Sequence, residues 1–330
     1  MQNSKRGDFL LGAYYYTCLT KSQKESYKII LNGLNAYAHT IELAQMSNDE
    51  ATRMYSFVTL DNPLVFHSAA FTKFDSNYGK SVIKPKYKFT QITERDYYAR
   101  VMKYLTRFDI VKGKDDSAKE KFVHDHCLRN FTYDNEWGEH ACSVLGLVLH
   151  NTAVCEGIAK FVKLALDYLQ VKSLVVTGKA TNPVSGATEG HAWNIVKIDG
   201  QAYHLDVTFN MNISRNSFRY DYFNLSDEDI LADHDIFGNV PKCSTKGKDF
   251  YSLNGQTVSG QKSLKKYFKE RILAGDSDIT FKVTNTQGAE DITNKVLQVT
   301  SEVIGEVSVG RTNIEMIPNI KQSVYQITLI

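Results

Sequence analysis

Apolar residues recur along the chain at two spacings, one helical and one strand-like, with polar turns between them. Tyr27, Ile30, Leu34 and Tyr37 follow a capping box formed by Thr20 and Gln23, and predict a helix over 25–43. Ser47 and Glu50 form a second capping box, opening a helix that Pro63 must end. Residues 64–90 read as strands, with turn signals at 75–77 and at Pro85. Helical periodicity returns over 94–108. After a polar break at 113–116, Ser117 and Glu120 form a third box, before a helix running to about Asn130. Residues 132–134 exit into a loop, and 143–150 read as a short helix. The clearest helical stripe is Ile158, Phe161, Val162, Ala165, Leu166 and Leu169, within 155–169.

Residues 174–177 make a short strand and 182–190 a loop. Two strand-like runs, 191–198 and 201–210, then flank Asp199 and Gly200, a type I′ hairpin signal. A short helix follows at 226–231, and 238–260 is rich in turns. The tail reads as helix 263–273, strand 279–284, helix 289–304 and strands 313–317 and 323–329, a small α+β domain. No internal repeat is visible.

Composition narrows the class. Of 330 residues 42% are hydrophobic and 23% charged, which is globular usage and excludes disordered or collagen-like chains. Lys and Arg total 39 against 37 Asp and Glu, so a net charge of +2 leaves no electrostatic footprint for nucleic acid. Apolar runs such as 145–149 fall far short of the ~20 residues of a membrane span. The five cysteines, Cys18, Cys127, Cys142, Cys155 and Cys243, form no C-x-x-C pair and are too sparse for a disulfide scaffold. The first residues lack the apolar stretch and cleavage site of a signal peptide. The compartment therefore stays open between the cytoplasm and export after signal removal.

The hairpin carries the first chemical proposal. With Asp199 and Gly200 as the turn, Ile198 pairs with Gln201, Val196 with Tyr203 and Trp193 with Asp206. Alternation then puts His191, Trp193, Ile195 and Lys197 on one face with Ala202, His204, Asp206 and Thr208. The opposite face, with Val196, Ile198, Tyr203 and Leu205, is apolar enough to be the core side. His191 and Asp206 become diagonal neighbours, about 7–8 Å apart at Cα, which suits a carboxylate accepting from an imidazole N–H. Cys155 opens the amphipathic helix. A thiol at a helix N-terminus sees the positive end of the dipole and free N–H groups, which favour the thiolate and would also hold an oxyanion.

These residues lie in recognisable motifs: Asn-Thr-Ala-Val-Cys-Glu-Gly-Ile-Ala over 151–159, Gly-His-Ala-Trp-Asn over 190–194 and Tyr-His-Leu-Asp-Val-Thr over 203–208. Together they resemble the transglutaminase-like superfamily, in particular bacterial proteins with that core. The helix leading to Thr132, Tyr133 and Asp134, and the segment 222–231 followed by Asp233 and His234, also resemble it, so that the likeness covers about 95–255. It implies an α+β, papain-like core, a helix-borne Cys against an antiparallel sheet, and acyl transfer through a thioester. By motif match Cys155 is the nucleophile, His191 the general base and then acid, and Asp206 the orienting carboxylate. The expected organisation is an N-terminal α/β accessory region over 1–94, the core over 95–258 and the small domain over 259–330. One departure stands out. The relatives often continue Asp-Val-Thr-Trp-Asp, whereas this chain has Phe209 and Asn210.

Plainer readings compete at several positions. Cys18, Cys127, Cys142 and Cys243 read as small buried hydrophobes. His204 reads as structural, and Trp193 either packs, or shields the ion pair or lines the acyl site as a cleft residue. Tyr133 and Glu156 are cleft candidates or solvated residues. His124, Asp125, His126 and Cys127 point in successive directions about 100° apart on a helix and cannot converge on one zinc ion. No calcium loop appears, and no metal or other cofactor is expected. The expected activity is cysteine-dependent acyl transfer on a protein or peptide amide, with hydrolysis favoured over cross-linking. The alternatives are a silent fold acting as a protein- or cell-wall-binding scaffold, and an envelope peptidase. Oligomeric state is open.

Overall fold

The computed structural model describes residues 12–75, 79–215, 217–284, 289–307 and 313–330. The chain is α+β and divides into two compact units, one of residues 1–177 with 191–201, the other of 178–190 with 202–330. Among the described residues no helix is long and apolar enough to cross a membrane.

The first unit begins with α1 (Tyr14–Cys18), α2 (Lys21–Asn35), β1 (Ile41–Ala44), α3 (Asn48–Asp61), β2 (Ser68–Asp75) and β3 (Lys80–Tyr87). The strands form an antiparallel sheet of order β1-β3-β2. The capping box of Thr20 and Gln23 is present, but α2 ends at Asn35 rather than running to residue 43. Tyr37 takes a left-handed φ of 54°, and Ile41 and Leu43 then bury alternately along β1. A short apolar run cannot distinguish strand from helix by spacing alone. Pro85 lies inside β3, opposite Phe71, instead of at a turn. It sits past the last β1 pair, Ile41 with Ile83, so its missing N–H breaks no ladder on that side. The turn expected at 75–77 lies mostly outside the described residues. Leu34, Ile41, Met54, Val58 and Ile83 make the core of this region.

Next come α4 (Gln91–Leu105), a short 3-10 turn (Thr106–Val111), α5 (Asp116–Asn130), β4 (Thr132–Tyr133), β5 (Thr152–Ala153) and α6 (Cys155–Tyr168). Asp115, rather than Ser117, caps α5, its carboxylate accepting from the Ala118 amide at 2.8 Å. Helix α6 is buried around almost its whole circumference, Lys163 and Asp167 included. The Lys163 Nζ, fully enclosed, donates to the Asp167 Oδ2 at 2.9 Å and to the carbonyls of Gly12 and Ser173 at 3.2 Å. Gly12 is thereby tied to α6.

Strands β6 (Ser173–Thr181), β7 (Thr188–Ile198) and β8 (Gln201–Leu205) follow. Asp199 and Gly200 both have positive φ, 51° and 82°, as a type I′ turn requires. In the second unit come α7 (Val207–Ile213), β9 (Phe223–Leu225), α8 (Asp227–Ile230), β10 (His234–Ile236) and α9 (Phe250–Leu253). Strand β10 pairs antiparallel with the end of β6, and β8 with β9, giving the strand order β10-β6-β7-β8-β9. The run expected as one strand over 201–210 stops at Leu205, because Asp206 turns the chain into α7. Residues 192–196 are all buried, so β7 does not have the single core face that the alternating pattern predicts.

The tail holds β11 (Thr257–Val258), α10 (Gln261–Leu273), β12 (Asp278–Val283), α11 (Ala289–Val307), β13 (Ile314–Asn319) and β14 (Val324–Leu329). The sheet order is β11-β12-β14-β13, and Phe268, Phe281, Val303 and Ile327 lie in its core. Buried polar bonds join this sheet to 219–221. Arg219 pairs with both oxygens of Asp221, at 3.0 and 2.7 Å, and reaches the Ile317 carbonyl and Gln326 at 3.2 Å. Asn319 and Tyr251 complete the shell of Asp221, at 3.0 and 2.8 Å.

Two outcomes follow for stability. Arg219→Ala leaves Asp221 buried without its cation and should cost about 3–5 kcal/mol in urea unfolding. His126 on α5 is held down to about 4, mainly by burial and then by Arg107 and Arg129. Its folded pKa lies below the unfolded value of about 6.5. Its contribution is therefore complete above about pH 6.5 and is lost as pH falls toward 4. The urea midpoint should drop over that window, and His126→Asn should flatten the drop.

Candidate active site

In the first unit, the local fold is built around the start of α6. Asn151 has a left-handed φ of 59°, which turns the chain out of the preceding helical turn into β5. Strands β4 and β5 pair in parallel, with Tyr133 opposite Ala153. Val154 is the N-cap residue and supplies no side-chain acceptor, so the first-turn N–H groups of α6 are not capped by its side chain. Its own N–H donates to the Ala141 carbonyl at 3.1 Å. Cys155 follows as the first helical residue and is buried. Glu156 pairs with Lys160 at 2.5 Å, one turn along the helix.

Two glycines allow this arrangement. A Cβ at Gly157 would overlap the Ala141 carbonyl oxygen and stand 2.9 Å from the Ala153 Cβ. A Cβ at Gly146 would stand 2.6 Å from the Thr152 carbonyl oxygen. The loop before Cys155 therefore lies directly on the first turn of α6. Asp134 shapes the start of that loop, accepting from the amides of Glu136 and Gly138 at 3.0 Å each. Trp137 on the same loop is exposed and has a φ of 52°.

His191 lies in β7, with its ring stacked 6.0 Å from that of Trp193 at an interplanar angle of 17°. Trp193 is 1% exposed. Three residues beyond His191, the buried Asn194 amide donates to the Ala159 carbonyl of α6 at 2.9 Å and to the Leu174 carbonyl at 3.3 Å. That amide fastens the His191 strand to the Cys155 helix, one turn below the thiol. Sequence reading passed over Asn194, Gly146 and Gly157. The motifs around Cys155 and His191 contain two of them, but their roles depend on close packing that spacing does not reveal.

In the second unit, Asp206 is fully buried at the end of β8. Its Oδ1 accepts from the Phe209 amide at 3.0 Å and caps α7. Its Oδ2 faces the His234 Nε2 at 3.1 Å. Asn210 accepts the Tyr222 amide at 2.9 Å through Oδ1, and Phe209 packs 4.9 Å from the His234 ring. Phe209 and Asn210 therefore both serve the surroundings of Asp206. His204, Asp227 and Cys243 bring one donor atom each within 4.8 Å of one another, a spacing that could hold a metal ion. The structure gives this set other work. His204 Nε2 bonds the Asp227 Oδ1 at 3.0 Å, and the Asp227 Oδ2 accepts the Cys243 amide at 3.1 Å. Burial pushes the Cys243 thiol up to about 12. On α5, His124 bonds Asp125 at 2.9 Å and His126 bonds the Tyr104 hydroxyl at 2.9 Å, so the two turn to separate partners.

No family model and no curated protein matches the chain. Solved structures similar to it include a protein of Cytophaga hutchinsonii described as a candidate cysteine protease. That likeness is 15% identical with a TM-score of 0.29, over 42% of this chain and 61% of that one. Another is described as a TGase, 14% identical with a TM-score of 0.31, over 51% and 50%. A third is a candidate protease of Parabacteroides distasonis ATCC 8503, 10% identical with a TM-score of 0.26, over 42% and 36%. The chain thus spans less than two thirds of each.

Gly157→Ala should displace the 141–143 loop, cost about 1–3 kcal/mol and slow alkylation of Cys155. Gly113→Ala, which meets open space, should change neither. Urea unfolding with site-resolved alkylation of both variants checks this.

Proposed function

We propose that the protein is a transglutaminase-like cysteine enzyme that transfers the acyl group of a protein or peptide amide, with water as the favoured acceptor. Cys155 is the nucleophile, His191 the base and then acid, and Asp206 the orienting carboxylate. The observation that supports it best is the joint position of two elements. Cys155 begins a buried helix whose N-cap offers no side-chain acceptor, and Asn194 binds the His191 strand to that same helix.

The proposed cycle balances simply. The Cys155 Sγ attacks the amide carbonyl carbon, and the oxyanion is held by N–H groups of the first turn of α6. The C–N bond breaks as the protonated His191 gives its proton to the leaving amine, and a thioester remains. His191 then takes a proton from water, whose oxygen attacks the thioester and releases the acid. The proton returns to the Cys155–His191 pair. A lysine amine in place of water would give cross-linking by the same steps.

The reading is tested by alkylation of the whole chain with iodoacetamide at pH 6, followed by mass spectrometry of each cysteine. An ordinary thiol, with a pKa of about 8.5, reacts poorly there. Cys155 should label ahead of the other four, and His191→Ala should remove that lead. Equal labelling of all five cysteines would sink the triad.

A further inference from the structure

His234, in the second unit, meets a carboxylate at each ring nitrogen, and the proposed cycle does not use it. It opens β10 and is fully buried. Its Nε2 stands 3.1 Å from the Asp206 Oδ2 and its Nδ1 2.6 Å from the Asp233 Oδ1. A neutral imidazole donates from one nitrogen only, so with both carboxylates ionised the two bonds take the imidazolium. Burial alone would push His234 down, yet the hydrogen bonds it donates to Asp206 and Asp233 outweigh it and hold the group above its ordinary value. Asp233 is in turn fixed by the Tyr222 hydroxyl at 2.8 Å and the Gln322 amide at 3.3 Å. The rings of Phe209 and Tyr222 stand 4.9 and 5.8 Å from the imidazole and keep water away from it. The titratable groups around it in this unit are Asp206, Asp233, Tyr222 and His204, the last of which is held by Asp227.

A helix cap alone does not call for a buried cation, because the Phe209 amide already serves that bond. We propose that His234 is a positioning residue for Asp206, clamping its carboxylate in one rotamer and keeping it ionised as the orienting member of the triad. This rests on the acyl-transfer reading above. With Oδ1 on the Phe209 amide and Oδ2 on His234, the carboxylate is held at both oxygens and cannot rotate. The triad thereby gains a fourth member, and Gln322, from the tail sheet region, holds the far end of the chain through Asp233.

The test is the pH profile of Cys155 alkylation in the full chain, read for wild type, His234→Gln, His234→Leu and Asp233→Asn, with His191→Ala as reference. Loss of the clamp weakens the support of His191, so the thiolate should form only at higher pH. His234→Leu should slow labelling by about 10–100-fold at pH 6 and leave the rate at pH 9 unchanged. His234→Gln keeps one donor but no charge, and should fall between. A purely structural role would lower the rate at both pH values along with the melting temperature. A folded His234→Leu with the wild-type profile overturns the proposal and leaves the triad standing. If His234→Leu does not fold, His234→Gln and Asp233→Asn decide by the same criterion. If wild-type Cys155 has no lead at pH 6 and His191→Ala changes nothing, the acyl-transfer reading falls and the clamp falls with it.

Discussion

The burial of α6 around nearly its whole circumference is the constraint on which the first unit depends. A helix with so little solvent face must meet most of the polar groups it carries from the surrounding protein. Lys163 is met by Asp167 and by the Gly12 and Ser173 carbonyls. The Asn194 amide bonds the Ala159 carbonyl. At its N-terminus the 141–143 loop lies so close that only glycine fits at 157. Each of these contacts also fixes where Cys155 sits. A reactive thiol needs that kind of fixed seat, because proximity and orientation are lost over displacements of about 1 Å.

Asp206 plays the matching part in the second unit. As an N-cap it ends β8 and begins α7, and this fixes its side chain more firmly than a strand position would. The same carboxylate meets a buried imidazole, and behind it Asp233, Tyr222 and Gln322 extend the polar chain. Low local dielectric strengthens such a chain when every member is paired. The tail is therefore more than an appended module. Its sheet is welded to 219–221 through Arg219, Asn319 and Gln326, and the neighbouring Gln322 reaches the Asp206 network.

The positions proposed for the chemistry sit at punctuation in the sequence. Cys155 starts the strongest apolar stripe, and His191 begins the run that ends at the Asp199–Gly200 turn, whose two positive φ values only a few residue types adopt readily. The caps at Thr20 and Ser47 are local and read correctly for the same reason. Local rules misplaced the end of α2 and the start of α5, where a strand's burial and a nearer carboxylate won.

What the sequence determined by itself was periodicity, caps and turns, since these depend on residues within four positions of one another. It could not show that 192–196 is buried on both faces, that residue 206 caps a helix, or that His234 stands against Asp206 across 28 positions. Those facts were decided by tertiary structure. A carboxylate far along the chain can be paired only once the elements carrying it have packed, and a buried cation persists only where two such partners meet it.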